Sequence, residues 1–122
     1  MSVSPCVLAV DDEAAALRIL TLQLVQRGAR VVAAHDGPEA LRLAEEEHPD
    51  VAVVDVRMPG MNGIDILRSL KARYSIPVIM ITAAPNEADR RASREAGAEA
   101  YLAKPIDPDD LYDQVRRALC GH

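Results

Sequence analysis

Short runs of β-branched residues alternate with longer segments of helical periodicity five times along this 122-residue chain. Short, continuous apolar runs are typical of strands that are covered on both faces. Strands that alternate with helices form a parallel sheet with helices on both sides. The pattern therefore predicts one α/β domain, a doubly wound parallel sheet built from five β-α repeats.

The boundaries of these elements follow from capping residues and apolar spacing. The predicted strands cover 6–10, 31–34, 51–54, 78–81 and about 100–103. The predicted helices begin at Asp12, at Gly37-Pro38, after Asn62, at about Asn86 and after Asp107. The fourth helix has only alanines on its predicted inner face: Ala88, Ala92 and Ala96. The last helix is predicted to bury Leu111, Val115 and Leu119.

Composition argues against nucleic-acid and membrane binding. Aromatic residues make up 2% of the chain, three tyrosines with no Phe or Trp, and the formal net charge is −5. Binders of single strands stack bases on aromatic rings, and binders of the phosphate backbone need a basic face. The longest apolar stretches, such as 76–84, are too short to cross a bilayer. We therefore expect no direct nucleic-acid contact and no membrane segment.

Cysteine usage and the first residues predict a cytoplasmic protein. Cys6 and Cys120 are too few for a disulfide framework or a zinc site, so reduced thiols are expected. No basic region followed by an apolar segment opens the chain, so we expect no secretory signal.

Polar side chains of complementary chemistry follow four of the five predicted strands. In a doubly wound sheet, functional residues gather outside the carboxyl ends of the strands. These ends carry Asp11-Asp12, Asp55, Thr82-Ala83 and Lys104-Pro105. We therefore expect three carboxylates, a hydroxyl and an ammonium group to converge on one small site.

This combination predicts phosphoryl chemistry that depends on a divalent cation. Three neighbouring carboxylates repel one another, and Mg²⁺ relieves the repulsion because it takes few carboxylates and keeps several waters. A carboxylate neutralised in this way can attack a phosphoryl group and form an aspartyl phosphate, which Lys104 and Thr82 would contact. Each residue alone has an ordinary explanation as a cap, turn, strand or surface residue. The convergence of four strand ends is what favours a site.

With these motifs, the chain resembles the receiver domain of two-component response regulators, including the chemotaxis regulators, from about Cys6 to Leu119. The matching motifs are residues 10–13, residues 55–63, Thr82-Ala83 and Lys104-Pro105, in the order and spacing of that family. The resemblance implies a flavodoxin-like sheet with strand order 2-1-3-4-5. It also implies that residues 1–122 are a single receiver domain with no output domain.

The resemblance implies roles for the residues of the acidic pocket. Asp55 would be the phosphoacceptor. Asp12 and Asp55, together with the backbone carbonyl of Arg57, would be direct ligands of Mg²⁺, or of Mn²⁺ in its place. Asp11 would bind the ion directly or through a water molecule.

Further roles fall on the last two strand ends. Ala83 and Lys104 would contact the phosphoryl group together with Thr82. Thr82 and Tyr101 would form the switch, in which the ring turns inward as Thr82 moves. The bond between Lys104 and Pro105 is a candidate cis peptide bond.

The implied function is signalling in a phosphorelay rather than turnover of a substrate. The domain would take a phosphoryl group from a histidine kinase or a histidine phosphotransfer protein, and would catalyse only its own phosphorylation and dephosphorylation. Phosphorylation would rearrange the face formed by the fourth helix, the fifth strand and the fifth helix. That face would then control a partner or output domain, and could also form a homodimer.

Several features of that face leave two interpretations open. The alanine-only fourth helix is either a movable element or simply a thin helix. Exposed arginines on it and aspartates on the last helix indicate self-pairing or an ordinary solvated surface: Arg90, Arg91 and Arg94, with Asp109, Asp110 and Asp113. Ile106 stands where the family often has Phe, and Glu99-Ala100 where it often has an acidic pair. Both departures lower the expectation of the dimer typical of regulators with winged-helix outputs.

Arg57 and Ala84 occupy the two variable positions beside the acidic pocket, which tune dephosphorylation in the family. We expect the Arg57 side chain to reach toward the phosphoryl group or, without metal, toward the acidic pocket.

Three alternative functions compete with this interpretation. A haloacid-dehalogenase-like phosphatase also uses a strand-end aspartate and Mg²⁺, but it needs a second aspartate where this chain has Arg57, and no cap insertion is present. A flavodoxin-like flavin binder would have its phosphate repelled by Asp11-Asp12. A receiver-like interaction module that no longer accepts phosphate is disfavoured because every reactive position is filled.

Overall fold

The computed structural model describes residues 4–58 and 60–120, and its centre is a sheet of five parallel strands. The strands are β1 (Cys6–Val10), β2 (Arg30–Ala34), β3 (Val51–Asp55), β4 (Val78–Thr82) and β5 (Ala100–Ala103). Their order in the sheet is β2-β1-β3-β4-β5, with every neighbouring pair parallel. The predicted α/β fold and strand order are confirmed.

Five helices alternate with the strands and cover both faces of the sheet. They are α1 (Ala14–Gln26), α2 (Gly37–Glu47), α3 (Gly63–Tyr74), α4 (Glu87–Glu95) and α5 (Pro108–Cys120). Within the described ranges, no helix has the length and apolar character needed to cross a membrane.

Alternate residues of the strands supply two separate apolar cores, because successive side chains of a strand point to opposite faces. Leu8 and Val10 of β1 belong to the core that contains side chains of α2 and α3. Val7 and Ala9 belong to the core that contains side chains of α1 and α5. The central strands are therefore buried on both sides, as their continuous apolar sequences predict.

Helix α1 begins two residues later than the predicted start at Asp12. The reason lies in Asp11, whose Oδ1 accepts a hydrogen bond of 3.0 Å from the backbone N–H of Glu13. This hydrogen bond holds Asp12 and Glu13 in a turn and not in the helix, so the first helical residue is Ala14. The caps of the other predicted helices agree better, since Asn62 and Asp107 both accept backbone hydrogen bonds in the turns that follow them.

Two predicted inner faces are wrong in detail. In α4, Ala88 is exposed and Ser93 is the buried residue, while Ala92 and Ala96 are half-buried. In α5, Leu119 is 36% exposed and Ala118 is buried in its place. Residues 111, 115 and 118 follow a spacing of four and then three, which keeps to one helical stripe better than 119 does.

A short antiparallel pair connects β3 to α3. It joins Arg57–Met58 to Met61–Asn62, and Pro59 of the predicted loop motif lies outside the described residues. Gly63 then returns the chain to the end of β3, where its backbone N–H donates a hydrogen bond of 2.8 Å to the carbonyl oxygen of Val56. A Cβ atom at this position would lie 1.9 Å from the carbonyl oxygen of Asp55. Only glycine allows this close approach.

Candidate functional site: an acidic pocket at the carboxyl edge of the sheet

The parallel registers of the sheet bring the predicted site residues to one edge. Asp11 follows β1, while Asp55 and Thr82 are the last residues of β3 and β4. Thr82 pairs with Ala103 of β5, and the backbone N–H of Lys104 donates 2.8 Å to the carbonyl oxygen of Thr82. The four strand ends therefore meet as the sequence predicts.

Three carboxylates form the centre of this pocket. Asp11, Asp12 and Asp55 each offer an oxygen atom, and these atoms all lie within 4.8 Å of one another. Asp11 and Asp55 are buried, with 1% and 6% of their surface exposed, whereas Asp12 is exposed. The pocket therefore combines two enclosed carboxylates with one that faces solvent.

Lys104 is the cation of the pocket. Its Nζ donates a hydrogen bond of 2.8 Å to Oδ2 of Asp11 and lies 3.7 Å from Oδ2 of Asp55. Burial alone would lower the pKa of Lys104, but the hydrogen bond to Asp11 and the charges of Asp11, Asp55 and Glu13 raise it overall. Lys104 thus stays charged between the two buried carboxylates.

Burial raises the pKa of Asp55 to about 6, and the negative charges of Asp11 and Asp12 add to this rise. Lys104 and a hydrogen bond from the backbone of Arg57 act in the opposite direction and lower the pKa. The cost of burying the charged carboxylate therefore outweighs the favourable charge of Lys104.

The donor set fits a hard divalent cation. Carboxylate oxygens are the ligands that Mg²⁺ prefers, and the spacing of the three aspartates allows a shared ion. The raised pKa of Asp55 supports the same conclusion, because a bound cation would favour its charged form. The residues present thus suit the metal expected from the sequence.

The fourth strand end places a hydroxyl and a backbone turn beside the carboxylates. Thr82 is fully buried, and its Oγ1 accepts a hydrogen bond of 3.1 Å from the backbone N–H of Ala84. An accepting hydroxyl still has its own proton to donate. Ala83 is exposed at the start of this turn, and the bond between Lys104 and Pro105 is cis.

Tyr101 lies on β5 and contacts the start of α4. Its hydroxyl accepts a hydrogen bond of 3.3 Å from the backbone N–H of Asn86, and the guanidinium of Arg90 lies 5.0 Å from its ring centre. The ring is half-buried and packs against the core on the α2 and α3 side of the sheet. Tyr101 thus links the fifth strand to the fourth helix.

The Arg57 side chain does not lie in the acidic pocket, contrary to expectation. Its guanidinium forms an ion pair with Asp89 in the first turn of α4. Oδ2 of Asp89 also accepts a hydrogen bond of 2.8 Å from Nδ2 of Asn86, the N-cap residue of α4. The Asp89 side chain is 13% exposed and already oriented by the helix cap, so it presents a fixed carboxylate to Arg57.

Asp89 is the residue near the site that sequence analysis missed, although Asn86 was predicted as the approximate start of its helix. An N-cap asparagine followed three residues later by an acidic residue is a recognisable helix-start signal. It could have placed Asp89 in the first turn of α4, after the cap at Asn86. Nothing in the sequence indicated the pairing with Arg57, which lies 32 residues earlier.

An apolar groove opens beside the pocket, between α1 and the connection from β5 to α5. Its volume is about 450 Å³, and Asp11 and Lys104 lie among its lining residues. Ile19, which is 56% exposed, lies on the α1 side, and Ile106 lies on the opposite side. A molecule that approaches the pocket from this side therefore meets apolar surface.

Comparisons with known proteins agree with this fold. The sequence model of the response regulator receiver domain matches residues 7–116. The protein named "Probable transcriptional regulator ycf27" from Cyanophora paradoxa is 42% identical over 113 residues, which is 93% of this chain and 47% of that protein. KdpE, a transcriptional regulatory protein of Mycobacterium tuberculosis, is 39% identical over 113 residues, which is 93% of this chain and 50% of KdpE. The chain thus spans about half the length of these relatives.

Solved structures show the same likeness. The chemotaxis protein CheY4 of Vibrio cholerae superposes with a TM-score of 0.89 at 31% identity, covering 96% of this chain and all of that one. Together with the family match, this shows that the chain belongs to the response regulator receiver domains of two-component signal transduction. The phosphatase alternative is not favoured.

Proposed function

We propose that the chain is a phosphoacceptor signalling domain that takes a phosphoryl group onto Asp55 in a Mg²⁺-dependent reaction. The observation that carries this proposal is the pocket itself, in which three carboxylates and the ammonium group of Lys104 meet at one sheet edge. Asp11, Asp12 and Asp55, with the backbone carbonyl of Arg57, would hold the ion. The ion would supply positive charge that offsets the carboxylates and the incoming phosphoryl group.

In the transfer step, a carboxylate oxygen of Asp55 forms a bond to phosphorus while the bond between phosphorus and the donor's histidine nitrogen breaks. The electron pair of the broken bond returns to that nitrogen, and the histidine leaves as a neutral imidazole because its other ring nitrogen carries a proton. Lys104 lies close enough to both buried carboxylates to contact the phosphoryl oxygens. Thr82 and the backbone of Ala83 would complete these contacts.

The proposed donor is a histidine kinase or a histidine phosphotransfer protein, as is general for this family. A protein that donates the phosphoryl group could bind in the apolar groove beside the pocket while its phosphohistidine reaches Asp55. The domain would act as a signal receiver in the cytoplasm rather than as an enzyme on other substrates. We propose no direct contact with nucleic acid or membrane.

The proposed response lies on the face formed by α4, β5 and α5. Thr82 would move toward the phosphoryl group, and Tyr101, which contacts the N-cap of α4, would change position with it. This face would control a partner or an output domain and could pair in a homodimer. Residues 1–122 would then form a single receiver domain.

The test is mass spectrometry of the intact protein after incubation with a small acyl phosphate and Mg²⁺. The wild type should gain one phosphoryl group, and Asp55→Asn should gain none. Asp50→Asn is the matched control, because Asp50 precedes the same strand at the opposite edge and its side chain accepts a hydrogen bond from Cys6. The control should be labelled like the wild type, whereas labelling that persists in Asp55→Asn would contradict the site.

A further inference from the structure

Arg57 contacts two parts of the molecule at once. Its backbone hydrogen bond acts on the Asp55 carboxylate, while its guanidinium pairs with Asp89 of α4. One residue thus connects the proposed phosphoacceptor to the fourth helix. The contact with Asp89 is made by a side chain that is 58% exposed, so the guanidinium has solvent around it in which to move.

A chain of polar contacts continues from Asp89 to Tyr101. Asn86 donates from Nδ2 to Asp89, and its backbone N–H donates to the hydroxyl of Tyr101. The Asn86 side chain also accepts a hydrogen bond of 2.8 Å from the backbone N–H of Asp89, and this bond fixes the first turn of α4. The orientation of Tyr101 is therefore tied to the same turn that Arg57 holds.

We propose that Asp89 is a positioning residue that holds the Arg57 guanidinium on α4 in the unphosphorylated domain, and that a phosphoryl group on Asp55 competes with Asp89 for it. This inference rests on the proposed phosphorylation of Asp55. A phosphoryl group carries about two negative charges, against one on Asp89, and arginine binds phosphate oxygens with two parallel hydrogen bonds. Transfer of the guanidinium would release the first turn of α4 and with it the contact to Tyr101.

The test measures how tightly each variant binds beryllofluoride, a phosphoryl mimic, in the presence of Mg²⁺. Asp89→Asn keeps the shape of the side chain and an acceptor for Asn86, but it removes the charge that holds Arg57. We expect it to bind the mimic about three- to fivefold more tightly than the wild type, which is the range of a partly exposed ion pair. Binding is followed by the NMR signals of Asn86 and Tyr101.

Asp65→Asn is the matched control. Asp65 is also an acidic residue in the first turn of a helix, α3, and it pairs with Arg68 at 3.2 Å on the surface. Its replacement removes the same charge near a helix N-terminus without touching Arg57. Its affinity for the mimic should equal that of the wild type.

A double-variant cycle separates Arg57 from general effects on α4. In an Arg57→Gln background, Asp89→Asn should give no gain, because the guanidinium that it would release is gone. In the absence of the mimic, the Asn86 and Tyr101 signals of Asp89→Asn should also lie part of the way toward their mimic-bound positions.

The outcomes distinguish this inference from the proposed function. If the wild type binds the mimic but Asp89→Asn binds it no more tightly, competition for Arg57 is wrong and the phosphoacceptor role stands. A gain that persists in the Arg57→Gln background also overturns the inference. If the wild type shows no binding that depends on Asp55, both proposals fail.

Discussion

Helices α3 and α4 follow the two strands that end in Asp55 and Thr82, but the core holds them very differently. The buried apolar side chains of α3 are Ile64, Ile66, Leu67 and Leu70. Helix α4 buries only Ser93, with Ala92 and Ala96 half-buried beside it. Because a fully buried large aliphatic side chain contributes about 1.5–3 kcal/mol, α3 is held far more strongly than α4.

Polar contacts of its first turn hold α4 in place of a large core contact. Asp89 is central to them, because it pairs with Arg57 and accepts from Asn86. Such contacts at the surface are worth about 1 kcal/mol or less each. A change of charge at Asp55 can therefore compete with the contacts of α4 but not with those of α3. We therefore propose that α3 belongs to the rigid part of the domain and α4 to the part that responds to phosphorylation.

The substitution with the largest expected effect on this comparison is Leu67→Ala. Leu67 is fully buried, so its truncation should lower the free energy of unfolding by about 2–5 kcal/mol. Ala92→Gly in α4 is the counterpart and should cost only about 1 kcal/mol, mainly through helix propensity. Urea unfolding measures both. Equal losses would show that α4 is anchored as firmly as α3.

Hydrogen exchange tests the same difference without any substitution. We expect the interior amides of α4 to exchange at least about tenfold faster than those of α3, because elements with few buried apolar contacts open locally more often. Native-state exchange followed by NMR, without a phosphodonor, gives the rates residue by residue. Similar protection in the two helices would remove the basis for a responsive α4.

The smallest expected effect belongs to Ser93→Ala. Within the part of the chain that the structure describes, the buried Oγ of Ser93 has no hydrogen-bond partner. Replacing an unsatisfied buried hydroxyl by a methyl group should leave stability unchanged or raise it by up to about 1 kcal/mol. Thermal unfolding gives the measurement, with Ser69→Ala on α3 as a half-buried control. A loss above about 1 kcal/mol would indicate that the hydroxyl is satisfied in solution.

The sheet and the convergence of its strand ends could be predicted from the sequence, because strand periodicity and parallel topology leave little choice of where Asp11, Asp55 and Lys104 meet. Which face of α4 packs against the core could not be predicted in the same way. With only alanines, a serine and charged residues, its sequence contains no strong apolar stripe, so Ala88 was assigned to the wrong face. The Arg57 contact was missed because a long flexible side chain can choose among several distant carboxylates.

Gly63 limits how this domain can be altered by evolution or by design. Asn62, which caps α3, can be exchanged for other capping residues. At position 63, however, any side chain would overlap the backbone of Asp55. A library of all substitutions at this position should therefore return glycine alone. A loop transplanted from a related domain should therefore keep both the interval between residues 55 and 63 and the glycine that closes it.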